Sequence, residues 1–171
     1  MKKVFITAGL CARLTIGLGL AFDLGIPHIS ALEKGSAMTI HAQGTFDVKL
    51  TPQLPEDKSE GLTLGRMLIE KQFHGDLEAV SKGQMLTGRT AVQGSGAYVA
   101  IERVTGTLNG RHGSFILHHL GIMVRGAPQL NVTVVPDSGT DELVGIAGTM
   151  TIIITDGKHS FDFAYTLPET H

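Results

Sequence analysis

The sequence predicts an all-β protein: a single closed antiparallel barrel of about eight strands, with an N-terminal leader outside it. Three observations carry this. From Met38 onward, apolar and polar residues alternate with period two in one run after another. Asn109-Gly110 and Asp156-Gly157 join such runs, and both central positions of a type I′ hairpin turn require the positive φ that these residues tolerate. Glycine is abundant, 22 residues of 171, and no helical pattern is long enough to carry a crossover between parallel strands. An all-β chain must dispose of its edges, which closure does. Two packed sheets are the alternative architecture, because strand patterns do not report closure.

In chain order, Ile40, Ala42, Gly44, Phe46, Val48 and Leu50 share one face, while His41 and Lys49 share the solvent face. The segment Pro52 to Gly61 reads as a charged loop rich in breakers. Met67, Ile69, Lys71 and Phe73 then alternate with Leu68, Glu70, Gln72 and His74, and His74-Gly75-Asp76 turns the chain into Leu77, Ala79, Ser81, Gly83 and Met85. Leu86 to Gly96 reads as a loop. The central hairpin, Tyr98 to Met123, turns at Asn109-Gly110. Arg125 to Pro128 leads into a short strand over 129–135, Pro136 to Gly145 is a connection, and a strand over 148–155 precedes the turn at Asp156-Gly157. Phe161, Phe163, Tyr165 and Leu167 line one face of the last strand.

Residues 1–37 differ from the rest. Lys2, Lys3 and Arg13 precede an apolar Leu14–Phe22 stretch, and Ala31 follows Ile29-Ser30. This is a loose signal-peptide pattern, read either as a cleaved export signal or as a disordered extension. The domain proper is placed at 38–171. Localisation follows from that choice, cytoplasmic or exported. No run approaches the ~20 apolar residues of a membrane helix, so no stable membrane span is expected. The net charge of −2 points away from nucleic acid. Cys11 is the only cysteine, which excludes an internal disulfide. Homo-oligomerisation stays open.

The runs MTIHAQGTFDVK, KQFHGDLEAVSKG, YVAIERVTGTLNGRHGSFILHHLG and LNVTVVPDSGTDELVGIAG resemble the DUF3224 family of small bacterial proteins, over Met38 to about Leu167. The resemblance implies an allene-oxide-cyclase-like β-barrel and carries no established activity. His118 departs from it, standing where the family commonly has glutamine.

If the apolar faces point inward, small residues such as Ala42, Gly44, Ala79, Ser81, Gly83 and Ala100 leave room for a central cavity. Large partners such as Phe46, Phe73, Phe115 and Tyr165 could equally fill it. Lys71, Glu102 and His119 fall on inward parity, and lone buried charges must pair or line a wet space. They are either a satisfied Lys71–Glu102 pair with His119 beside it or the polar wall of a pocket. A one-residue phase shift in the strand carrying Glu102 would turn Arg103 inward instead. The ligand-binding set is then Lys71, Phe73, Ser81, Met85, Ala100, Phe115, Leu117, Phe163 and Tyr165, with Glu102, His119 and Tyr98 as acid–base residues.

His118 and His119 cannot share one ion inside a barrel, because adjacent strand residues face opposite sides. His119 with Glu102 and a distant third ligand is the one arrangement left open. The sequence therefore implies neither a metal site nor a cofactor, and Asn131-Val132-Thr133 is a chance glycosylation match. The expected function is binding of a small apolar or amphipathic molecule in the cavity. The alternatives are a cyclase or isomerase using the acid–base residues, and a structural or interaction domain with a filled barrel.

Overall fold

The computed structural model describes residues 38–168, and the leader expected over residues 1–37 lies outside them. Eight antiparallel strands follow one another around a closed barrel: β1 (Ile40–Ser59), β2 (Leu62–Gly75), β3 (Leu77–Arg89), β4 (Gly96–Leu108), β5 (Arg111–Val124), β6 (Ala127–Val134), β7 (Ala147–Thr155) and β8 (Lys158–Thr166). Among the described residues the one helical piece is a 3₁₀ turn over Asp141–Leu143. β1 closes the barrel by pairing with β8 from Ile40↔Tyr165 to Phe46↔His159. The two-sheet alternative is thereby excluded.

The turns follow from their chemistry. Asn109 (φ 46°) and Gly110 (φ 81°) join β4 to β5, and Asp156 (φ 51°) with Gly157 (φ 75°) joins β7 to β8. Arg125-Gly126 makes a third such turn between β5 and β6, so all three carry the positive φ pair that suits the twist of a hairpin.

Two expected loops are corrected. β1 continues to Ser59 and pairs with β2 across a bulge between Gln53 and Asp57. Among the described residues, β1 beyond Phe46 has no β8 partner, so Pro52 lies where one edge of the strand is free and its missing N–H costs no ladder bond. β3 likewise runs on to Arg89, paired with Gly96 of β4, which shortens the loop to Thr90–Ser95. The strand after Arg125 starts at Ala127 rather than 129, and the next at Ala147.

The barrel has unlike ends. At one end, the turns at Gly75-Asp76 and Asn109-Gly110 meet, with Asn109 N–H donating to the Asp76 carbonyl at 2.8 Å and its side-chain amide to the Tyr165 hydroxyl at 3.0 Å. The connection 136–146 folds across this end and buries Leu143 and Ile146. Leu77, Val104, Leu108, Phe115, Leu117, Phe163 and Tyr165 fill the interior behind it. The rings of Phe115, Phe163 and Tyr165 form a stack with centroids 5.5 and 5.2 Å apart. The opposite end, bounded by the 90–95 loop and the turns at Gly61, Gly126 and Gly157, is open among the described residues.

Candidate functional site

Between the packed end and the open end lies a layer of polar side chains, one from each of four consecutive strands: Lys71 (β2), Ser81 (β3), Glu102 (β4) and His119 (β5). All four are buried, Glu102 completely. Parity alone turns them inward. Tyr98, Ala100, Glu102 and Val104 share the inner side of β4, while Arg103 is exposed.

Glu102 is the hub. Its Oε1 accepts from Lys71 Nζ at 2.7 Å and from His119 Nε2 at 2.9 Å, and its Oε2 accepts from Ser81 Oγ at 2.9 Å. Burial alone would raise the carboxyl pKa, but the hydrogen bond from His119 and the Lys71 charge outweigh it and hold the group at about 2. The carboxylate is therefore ionised, and Nε2 of His119 must carry the hydrogen that it shares with Oε1. In the neutral imidazole Nδ1 is then a lone pair, and among the described residues it has no hydrogen-bond partner. The Lys71 ammonium also sits 5.0 Å from the Phe46 ring centroid and 5.6 Å from that of Phe73, so aromatic faces take up part of its lost hydration.

The backbone makes way for this cluster at Gly83, which pairs with Glu102 across the ladder. A Cβ there would lie 2.5 Å from the Glu102 Cβ. Gly121 does the same for Tyr98, whose ring lies over the position that a Gly121 side chain would occupy. Burial, and secondarily the negative charge of Glu102, push the Tyr98 pKa up, so its phenol stays a neutral donor.

Above the layer, toward the open end, is a cavity of about 210 Å³. Lys71, His119, Tyr98 and His159 supply its polar wall; Val48, Leu50, Ile69, Met85, Leu130, Ile152 and Ile154 are among its apolar lining. Tyr98, Leu130 and Ile154 also border a wider vestibule of about 460 Å³ at the mouth, beneath the 90–95 loop. Glu102 and Ser81 lie behind the cavity rather than on its surface.

Of the expected ligand-binding residues, Lys71 and Met85 line the cavity. Ser81 is spent on Glu102, and Phe73 is buried beneath Lys71. Phe115, Leu117, Phe163 and Tyr165 belong to the packed end, because inward parity does not say how far along the barrel a residue sits. Ala100 is buried but is not part of the cavity lining. The expected set lacked His159, Leu130, Ile152 and Ile154, and also Phe46, Val48, Leu50 and Ile69, which share inward faces in the sequence but were not placed at the cavity. Continuing the Phe161–Phe163–Tyr165 alternation back by one step would have found His159. Among the described residues, no three His, Cys, Asp or Glu side chains are grouped to hold a metal ion, and no helix is long and apolar enough to cross a membrane. His118 faces outward.

The fold and site define a class of small antiparallel barrel that is filled at one end, hollow at the other and divided by a buried carboxylate with its hydrogen-bonding partners. The chain belongs to the DUF3224 family, described as protein of unknown function, whose model matches residues 42–165. A crystal structure of a protein with unknown function from the DUF3224 family from Shewanella oneidensis MR-1 is 48% identical and covers 78% of this chain and 100% of its own, with a TM-score of 0.74. A search of curated proteins found no match.

Proposed function

We propose that the barrel binds a small amphipathic molecule in the cavity at its open end. The observation that carries this reading is a hollow whose wall is apolar apart from Lys71, His119, Tyr98 and His159, with Lys71 and His119 at its inner end. Small-molecule sites have this composition, apolar lining with a few placed polar groups. At about 210 Å³ the cavity holds roughly seven water volumes, below the ~300 Å³ at which drug-sized sites begin. The occupant is therefore small, with any tail emerging into the vestibule. A filled structural barrel would leave no such space.

A second reading rests on His119. Its Nε2–H is held by an ionised carboxylate while the ring lines the cavity, the carboxylate–imidazole arrangement that orients a general base. Tyr98 adds a neutral proton donor. An isomerase or cyclase on these residues would use His119 as the base, with Glu102 holding it in place, since both Glu102 oxygens are already occupied.

The fluorescence of 2-naphthol, an amphipathic ring compound of suitable size, tests the binding reading. It should change saturably with the wild-type protein and not with Met85→Trp, where the indole fills the cavity. Equal responses from both proteins, or none from either, would overturn the reading.

A further inference from the structure

The geometry points to a carboxylic acid as the occupant, seated with its head group across Lys71 Nζ and His119 Nδ1 and taking up one proton as it binds. This rests on the reading of the cavity as a binding site and names the chemistry of its ligand.

Lys71 Nζ has three hydrogens and gives one to Glu102, leaving donors on the side that lines the cavity. Beside it, with Nε2 of His119 committed to Glu102, Nδ1 is the ring nitrogen left for a ligand, and it accepts whenever the imidazole is neutral. The inner end of the cavity thus offers a donor next to an acceptor. A carboxylic acid group fits both, its carbonyl oxygen accepting from Nζ and its hydroxyl donating to Nδ1. An alcohol oxygen can also accept from Nζ and donate to Nδ1, but it brings no charge to pair with the ammonium, and an amine meets Lys71 with a like charge.

Charge counting leads to the same ligand. Lys71 and ionised Glu102 sum to zero, so a bare carboxylate would bring an uncompensated charge into a buried site, which is costly. A proton placed on Nδ1 from solvent restores neutrality. Imidazolium facing the incoming carboxylate is then flanked by Glu102 on its other nitrogen. Acid plus imidazole and carboxylate plus imidazolium have the same proton count, so the uptake is the same in either description.

The titratable groups that meet this space are Lys71 from β2, Tyr98 and Glu102 from β4, His119 from β5 and His159 from β8. β1, β6 and β7 present Phe46, Val48, Leu50, Leu130, Ile152 and Ile154, which do not titrate, and β3 presents Met85 and, behind the cavity, Ser81. Glu102 is held ionised and burial pushes the Tyr98 phenol up, which leaves the imidazoles to accept the proton. His119 is the one placed beside the ammonium.

Isothermal titration with octanoate, octan-1-ol and octylamine, in two buffers of different ionisation enthalpy at about pH 7, tests this on the wild-type chain. Octanoate should bind about tenfold or more tighter than octanol, as charge-assisted pairing predicts. The buffer dependence of its heat should correspond to uptake of about one proton, and its affinity should fall as pH rises while that of octanol stays level. His119→Gln keeps an amide donor toward Glu102 and cannot titrate, so it should abolish the uptake. Should that variant not fold, the wild-type proton count and the octanoate-to-octanol ratio decide the matter. Equal binding of octanoate and octanol without proton uptake would overturn the acid assignment and leave the binding site standing. Uptake lost in His159→Gln but kept in His119→Gln would overturn the assignment to His119. Failure of all three compounds and of 2-naphthol would remove the binding site itself.

Discussion

The two ends of the barrel are built from the same strands by the same alternation, yet one is solid and the other hollow. At the solid end the inward positions carry Leu77, Leu108, Phe115, Phe163 and Tyr165, and a folded connection adds Leu143 and Ile146 from outside the sheet. At the hollow end the inward positions include Leu50, 47 % exposed, and Ile154, 63 % exposed, and nothing comparable to the 136–146 connection covers them among the described residues. The difference teaches that the core is concentrated where it can be sealed. Stability gathered there leaves the other half free to keep an interior surface that burial does not need.

The largest expected effect belongs to the solid end. Phe163→Ala removes the middle ring of a three-ring stack in a place that cannot collapse, and should cost about 3–5 kcal/mol. Thermal denaturation should show this as a midpoint lower by about 10 °C. A cost under about 1 kcal/mol would mean that the two ends do not differ in the way described.

The dividing layer should come next. Lys71→Met leaves a buried carboxylate with one cation fewer and should cost about 3 kcal/mol in urea denaturation. Adding Glu102→Gln should recover part of that, giving a coupling of about 1 kcal/mol or more. Near-additive losses would show that the layer is not a cooperative unit. Its pH dependence has a definite sign. The Glu102 pKa is lowered in the folded chain from 4.5 to about 2, so its contribution is complete above about 4.5 and is lost as pH falls toward 2. The loss is about 3 kcal/mol over that window, and Glu102→Gln should flatten the same stretch of the stability–pH curve. An unchanged slope in the variant would assign the acid sensitivity to other carboxylates.

The hollow end should respond least. Ile154→Ala removes a side chain that is mostly in water and should cost less than about 1 kcal/mol, while weakening 2-naphthol binding measured by fluorescence. A stability loss as large as that of Phe163→Ala would show that the open end is core after all.

How much of this was legible beforehand divides along a physical line. Alternation reports which face a side chain joins, so the inward placement of Lys71 and His119 and the outward placement of His41 could be read directly, whereas the apolar Val99 and Ile101 left Glu102 and Arg103 open, and the structure turns Glu102 inward and Arg103 outward. It does not report height along the barrel, which is set by strand tilt and by the register of each pair. Phe115 and Phe163 therefore read as cavity wall on the same footing as Lys71 and Met85, and the structure separates them. The reach of β1 past Pro52 was hidden for another reason. Proline and charge mark a loop only when both edges of the chain need partners, and β1 has a free edge there. The Glu102 cluster itself follows from diagonal neighbours across four strands, which no single run of sequence displays.

One join in the wall differs from the rest. Around most of the circumference each strand is paired with its neighbour over many residues, but β6 and β7 pair at Thr133↔Thr149, while β6 begins at Ala127 and β7 continues to Thr155. A fully laced cylinder has no loose thread, so opening it means breaking a ladder somewhere in mid-course. Here the lacing stops partway along one join, beside Leu130, Ile152 and Ile154 of the cavity wall. Thermal fluctuations can peel these two edges apart without first breaking a bond between them. Solvent exchange at the backbone of Gln129–Asn131 and Thr151–Ile153 should therefore run ahead of that in β2, β3 and β4, and the cavity would breathe sideways as well as through its mouth.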